Sequence, residues 1–172
     1  FVVVVAALIV KLGADLIADA VAAYARLEEA CIVVDFGTAT TFTAIAADAV
    51  VLGVAIAPGM NLAASALAGG TAQLPQIRLS PPGRAIGRNT VDSIRSGVVL
   101  GYVGLVEGMI SRFQAEMMQS SAGISPSGSD IKVLATGGLS SIIAPLTRRF
   151  YAVDPWLTLD GIRIIGERCV PQ

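Results

Sequence analysis

Histidine is absent from this 172-residue chain. That removes the commonest general base, the Ser–His and Cys–His nucleophile pairs, and most catalytic zinc sites. Cysteine is scarce: Cys31 and Cys169 are the only thiols, they lie far apart, and they form no CxxC pair. The spacing reads as free thiols in a reducing compartment rather than a disulfide framework. Charge is sparse at 15% of residues and balanced, with 12 basic against 13 acidic side chains. A nucleic-acid binder carries a basic excess, and none exists here; the arginines are scattered from Arg26 to Arg168. No apolar run is long enough to span a bilayer. Phe1–Val10 is too short, and the uncharged stretch from Ala49 to Ile77 is interrupted by Pro58, Gly59, Asn61, Gly69, Gly70, Gln73 and Pro75. Phe1–Val10 also has no basic leader or evident cleavage site, so it is not read as a signal peptide. The expectation is a soluble, cytoplasmic protein with no nucleic-acid or membrane partner.

Apolar residues make up 54% of the chain, more than an ordinary soluble domain carries. A chain of this length buries roughly 70% of its unfolded surface. The excess therefore implies a large core or a shared subunit interface. Because it opens at Phe1 in mid-pattern, the chain reads as a fragment of something longer.

Periodicity sketches the elements. Residues 1–10 fit a buried strand or a helix equally well. Ala14–Glu29 is Ala-rich, with Ile17, Val21, Tyr24 and Leu27 at helical spacing. Cys31–Asp35, Phe42–Ala47 and Val50–Ala57 read as three strands of a meander, with 37–41 a turn of small residues. Met60–Ala68 is expected to be a helix ended by Gly69-Gly70, followed by a loop over 71–88. Asn89 or Thr90 caps a long helix to about Met118, whose Gly97, Gly101, Gly104 and Gly108 suit close packing of another helix or subunit. A Ser/Gly loop over 119–130, a strand over 131–135, a helix over 140–149 and a last helix over 157–167 complete a layered α/β pattern. The methionines and Trp156 are assigned to core or interface, and Arg148-Arg149 to a solvated helix end.

Four local patterns carry chemistry. In Asp35-Phe36-Gly37-Thr38-Ala39-Thr40-Thr41, a strand delivers a carboxylate straight into a Gly-Thr turn. Glycine lets a backbone approach a phosphate, threonine supplies donors, and the carboxylate can hold a cation. The plainer reading is an Asp-capped turn between strands. Lys132–Leu139, KVLATGGL, is a second strand ending in glycines, Gly137 and Gly138, which permit close approach of a ribose or base or simply make a tight turn. Two such strand ends suggest a nucleotide clasped between them. Gly13-Ala14-Asp15 puts a carboxylate at a helix start, as a cap or, with histidine absent, as the available general base. Gly87-Arg88-Asn89-Thr90 opens the long helix, where amides and a hydroxyl can cap it or receive an anion.

Taken together in this order, these residues resemble the type III pantothenate kinases of the actin-like (ASKHA) superfamily. The resemblance runs in order through GADLIADAVAA from Gly13, VVDFGTATTF from Val33 and APGMNLAASALAGGTAQLP from Ala57. It continues through IGRNTVDSIRSGVVLGYVGLVEGMISRF from Ile86, LATGGLSSIIAPL from Leu134 and VDPWLTLDGIRII from Val153. It implies an α/β, ribonuclease-H-like fold with a mixed sheet flanked by helices. Residues 1–30 would be the remnant of an N-terminal half and its connecting helix, and 31–172 the C-terminal domain. It implies transfer of the ATP γ-phosphate to pantothenate, giving 4'-phosphopantothenate in coenzyme A biosynthesis, with Mg2+, a monovalent cation (K+ or NH4+) and a homodimer joined through the long helices.

Site residues follow from the same resemblance. Asp15 matches the proton acceptor, and Gly13, Ala14, Leu16 and Thr90 match substrate-contacting positions. Asp35 matches the monovalent-cation ligand. Thr38, with Gly37, matches an ATP contact, and Gly137 and Gly138 match the adenosine end. Three departures stand out: Leu16 replaces an arginine, Thr43 a second aspartate, and Asp19 an asparagine. The family's N-terminal Asp-x-Gly-Asn-Thr phosphate loop and a substrate tyrosine have no counterpart. These departures support an alternative: a non-catalytic pseudokinase or regulatory, dimerising relative. A sugar or acetate kinase of the same superfamily fits the TATTF and LTLDG motifs less well.

Overall fold

The computed structural model describes residues 13–70, 74–119 and 131–169. The apolar run 1–10 and the Ser/Gly loop after Gln119 lie outside them. A five-stranded sheet forms the centre, with β1 (Cys31–Phe36), β2 (Ala39–Ile45), β3 (Val51–Pro58), β4 (Lys132–Thr136) and β5 (Ala152–Val153) in the order β3-β2-β1-β4-β5. β2 runs antiparallel to both its neighbours, while β1, β4 and β5 are parallel. This mixed order is the ribonuclease-H-like arrangement. The register pairs Asp35 with Thr41 on one side and Thr136 on the other.

α1 (Ala14–Leu27) follows from its alanines, the best helix formers, and ends where Glu28 turns left-handed and donates its N–H to Tyr24 O at 2.8 Å. It packs on one sheet face beside α5 (Leu157–Cys169), over Cys31, Val33, Ile45 and Leu134. The two helices touch backbone to backbone: a Cβ on Gly161 would stand 2.8 Å from Ala18 Cα. The opposite face carries α2 (Met60–Gly70), α3 (Thr90–Gln119) and the short α4 (Ser140–Ile143) over Ile32, Val34, Phe36 and Phe42. Along α3, Ile94, Val98, Tyr102, Val106, Ile110 and Met117 recur on one buried stripe. α3 is long and apolar enough to cross a membrane by length and composition, but that stripe is spent on the sheet.

Several expectations change. The Gly-Thr turn is only Gly37-Thr38, because Ala39, Thr40 and Thr41 already pair in β2. α2 runs to Gly70, so the two glycines form its last described residues. The helix expected over 140–149 stops at Ile143 and passes into one 3-10 turn, Ala144–Leu146, because Pro145 has no N–H to continue it. β5 is two residues long, too short to leave a periodic signal. Trp156 is 66% exposed and Met118 63%, so neither is core, whereas Met60 and Met117 are buried. Arg149 is not at a helix end; its guanidinium donates to Ser111 Oγ and Gln114 Oε1.

Candidate functional site

Parallel β1 and β4 end side by side, so both strand-end glycine turns open at one edge of the sheet. β1 delivers Asp35 there, half-buried and facing the α1 side. β4 delivers Gly137 in a left-handed conformation (φ 86°), tight against it: a Cβ on Gly137 would overlap the Asp35 carboxylate and stand 2.6 Å from Phe36 C. Only glycine fits both demands. Ser140 Oγ donates to Gly137 O at 2.7 Å, and Leu139 N to Phe36 O at 3.3 Å, which ties the second turn to the end of β1.

The Gly37-Thr38 turn is held from the other side. Gly59, the residue between β3 and α2, lies directly on it, since a Cβ there would stand 2.8 Å from Thr38 C and 2.9 Å from Gly37 O. Thr38 itself is exposed, as is Gly138 with open space around it. Both are free to meet a ligand.

α1 brings Asp15 to the same edge. Asp15 is exposed in the first turn and accepts the Leu16 N–H at 2.9 Å. Burial first, and then the Asp15 charge, hold the Asp35 carboxyl above the usual carboxylate range. One turn along α1, Asp19 is 1% exposed and accepts a bond from Thr158 Oγ1 of α5 at 2.6 Å, while its Oδ2 has no partner. Burial pushes Asp19 up to about 6; the Thr158 bond opposes this, and the Asp35 and Asp15 charges add to it. Three carboxylates from α1 and β1 thus share one field. Sequence reading noted Asp19 as a departure but gave it no role, because only the tertiary packing sets it beside Asp15 and Asp35.

Four other expected residues lie at two helix starts. Leu16 is buried, turned into the fold and away from solvent. Gly13 and Ala14 are exposed at the start of α1. Thr90 is exposed at the start of α3, where Asn89 is the cap: its Oδ1 accepts the Asp92 N–H at 2.9 Å and its Nδ2 donates to Asp92 Oδ2 at 2.8 Å. The Thr90 hydroxyl stays outside that cap, and no hydrogen bond joins it to the Asp15–Asp35 cluster among the described residues.

The chemistry of the donor set bears on metals. No group of three or more His, Cys, Asp or Glu residues that could hold a metal occurs among the described residues. An ion carried by nucleotide phosphates needs only one or two protein carboxylates, and Asp35 fits that role. Cys31 is a free, buried thiol, pushed up to about 12 by burial and then by Glu29, and it stays protonated at neutral pH.

Comparison with known proteins shows the family. The family model of type III pantothenate kinase matches residues 8–112. Curated type III pantothenate kinases from Myxococcus xanthus (44% identical, 92% of this chain), Roseiflexus sp. (46%, 91%) and Moorella thermoacetica (46%, 92%) align over nearly the whole chain. The chain spans 58% of the length of each of these relatives. A solved structure from Campylobacter jejuni, described as a conserved Baf-family transcriptional activator, superposes with a TM-score of 0.62 at 23% identity, covering 94% of this chain and 66% of that one, and so shares the fold. On the family match and these identities, the chain belongs to the type III pantothenate kinase family.

Proposed function

We propose that this chain carries the base and nucleotide-holding part of an ATP:pantothenate kinase. The observation that supports it most is the convergence of Asp15, Asp35 and the Gly37-Thr38 and Gly137-Gly138 turns at one sheet edge. Asp15 takes the proton from the primary hydroxyl of pantothenate. The hydroxyl oxygen then bonds the γ-phosphorus as the β–γ bridge bond breaks and ADP leaves. Thr38 and the amides of its turn meet the phosphates, and Gly137 and Gly138 leave room for the adenosine end. Asp35 would hold a monovalent cation, or water on Mg2+, and the ion when bound offsets phosphate charge. Gly13, Ala14 and Thr90 would line the pantothenate side, while the buried Leu16 packs behind them. A homodimer through α3 is supported by Gly97, Gly101 and Gly104, which have open space around them beside an apolar groove lined by Ala63, Ile94, Val98 and Leu105. The proposed location is the cytoplasm, where the substrates of coenzyme A synthesis meet.

One observation favours the non-catalytic reading. The side chain next to the base, Leu16, is apolar and buried, so no cation pairs with Asp15 among the described residues. Pantothenate phosphorylation by the purified chain with ATP and Mg2+, with and without potassium, separates the two. Potassium-dependent turnover, lost by at least a hundredfold in Asp15→Asn at an unchanged melting temperature, is the expected result. A folded dimer without turnover would give the pseudokinase reading.

A further inference from the structure

Tyr102 lies in the middle of α3, away from every catalytic motif, yet it is tied to the nucleotide edge. It is buried at 8% exposure, and its hydroxyl donates to Pro58 O, the last residue of β3. Pro58 pairs with Ala39, the first residue of β2 after the Gly37-Thr38 turn. Gly59 follows, with its backbone so close to Thr38 and Gly37 that no Cβ fits. Ala63 N bonds Gly59 O at 3.0 Å, which makes Gly59 the entry to α2. The corner Pro58-Gly59 is therefore the floor under the turn, and Tyr102 is the side chain that fixes the corner. Thr90 opens the same helix, about 18 Å along its axis from Tyr102, so α3 reaches both the turn and the proposed substrate side.

We propose that Tyr102 is a positioning residue that acts through Pro58 and Gly59 to hold the Gly37-Thr38 turn in its ligand-ready shape. The proposal deepens the nucleotide reading of that turn and rests on it. A turn must present its amides and hydroxyl in one geometry to bind phosphate well, and a floor that shifts by a few tenths of an ångström spoils that geometry. Tyr102 also lines the groove between α2 and α3, so whatever occupies the groove bears on the same side chain.

Tyr102→Phe tests this, because it keeps the ring and its packing and removes only the hydroxyl. ATP affinity by calorimetry is expected to weaken about three- to tenfold, the effect of one lost hydrogen bond. Amide exchange of the unliganded chain is expected to quicken over residues 37–39 and 59–60 while the α1 and β4 amides are unmoved. Gly59→Ala, which displaces the turn directly, should reproduce both effects more strongly. A lower melting temperature with unchanged ATP affinity and unchanged exchange over 37–39 would reduce Tyr102 to a packing residue and overturn the proposal. A parent chain that binds no ATP would remove the nucleotide reading of the turn. Exchange alone then decides Tyr102: quickened at 37–39 in Tyr102→Phe supports the tether, and equal rates overturn it.

Discussion

Against α3 the sheet presents Ile32, Val34, Phe36, Phe42 and Val133, large or branched and apolar, with Ala44 and Ala135 among them. Against α1 and α5 it presents Cys31, Val33, Thr43, Ile45 and Leu134, and then, toward the strand ends, Asp35, Thr41 and Thr136. The helix that covers this second face is built from Ala18, Ala20, Ala22 and Ala23, with Gly161 of α5 against Ala18. One face is held by volume and the other by close approach. Small residues let α1 come near enough to set its carboxylates over the strand ends, and the cost is buried polarity: Asp19 Oδ2 and Thr136 Oγ1 both lack partners. The apolar face supplies rigidity, and the polar face supplies chemistry.

Substitutions can break this contrast. Ile110→Ala, at a fully buried position on the apolar face, should cost about 3 kcal/mol, or roughly 10 °C in melting temperature. Differential scanning calorimetry reads it directly. Gly161→Ala should cost about 2 kcal/mol by overpacking against the Ala18 backbone, which cannot move aside as a side chain could. Because it pushes α5 off α1, it should also disturb Asp19 through Thr158, as seen in the chemical shift of the Asp19 carboxyl.

Asp19→Asn should act in the opposite direction. Folding raises the Asp19 pKa from 3.8 to about 6. Below pH 3.8 the group is protonated in both states and carries no penalty. Between pH 3.8 and about 6 the unfolded chain ionises while the folded chain keeps its proton, so stability falls by up to about 3 kcal/mol and levels off above 6. The amide keeps an acceptor for Thr158 and never ionises. The variant should therefore be about 2 kcal/mol more stable at pH 7 and indistinguishable at pH 4; equal pH profiles would refute this. Gly97→Ala gives the smallest effect. With open space at that position, it should stabilise the monomer by about 0.5–1 kcal/mol through helix propensity, while weakening self-association measured by sedimentation.

Most of the fold was legible. The alanine-rich α1, the branched runs of β1 to β3 and the capped start of α3 each carry a local signal that tertiary contacts did not overrule. The misses have local causes as well. The 140–149 helix reads as apolar and periodic until Pro145 is weighed, and β5 exists only because Tyr151 N and Asp154 N find carbonyls on β4 at 2.8 Å. Within the site, the Asp35 and Gly137 turns were visible as strand-to-glycine transitions. Asp15 alone looked like a helix cap; its weight came from the family motif and then from the Asp35 carboxyl lying within reach of its charge. Tyr102 offered no sequence signal, because a buried tyrosine in an apolar helix reads as core.

The sequence by itself determined α1, α3, the strands β1 to β4, the strand-end turns and the family, since each rests on neighbours in the chain. Tertiary structure alone decided which groups meet. Parallel pairing of β1 with β4 put two glycine turns at one edge. The small-residue contact of α1 with α5 buried Asp19 and brought Asp15 toward Asp35, and the reach of Tyr102 across the opposite face set the floor beneath Thr38. Those contacts join residues tens of positions apart, and only packing can fix their geometry.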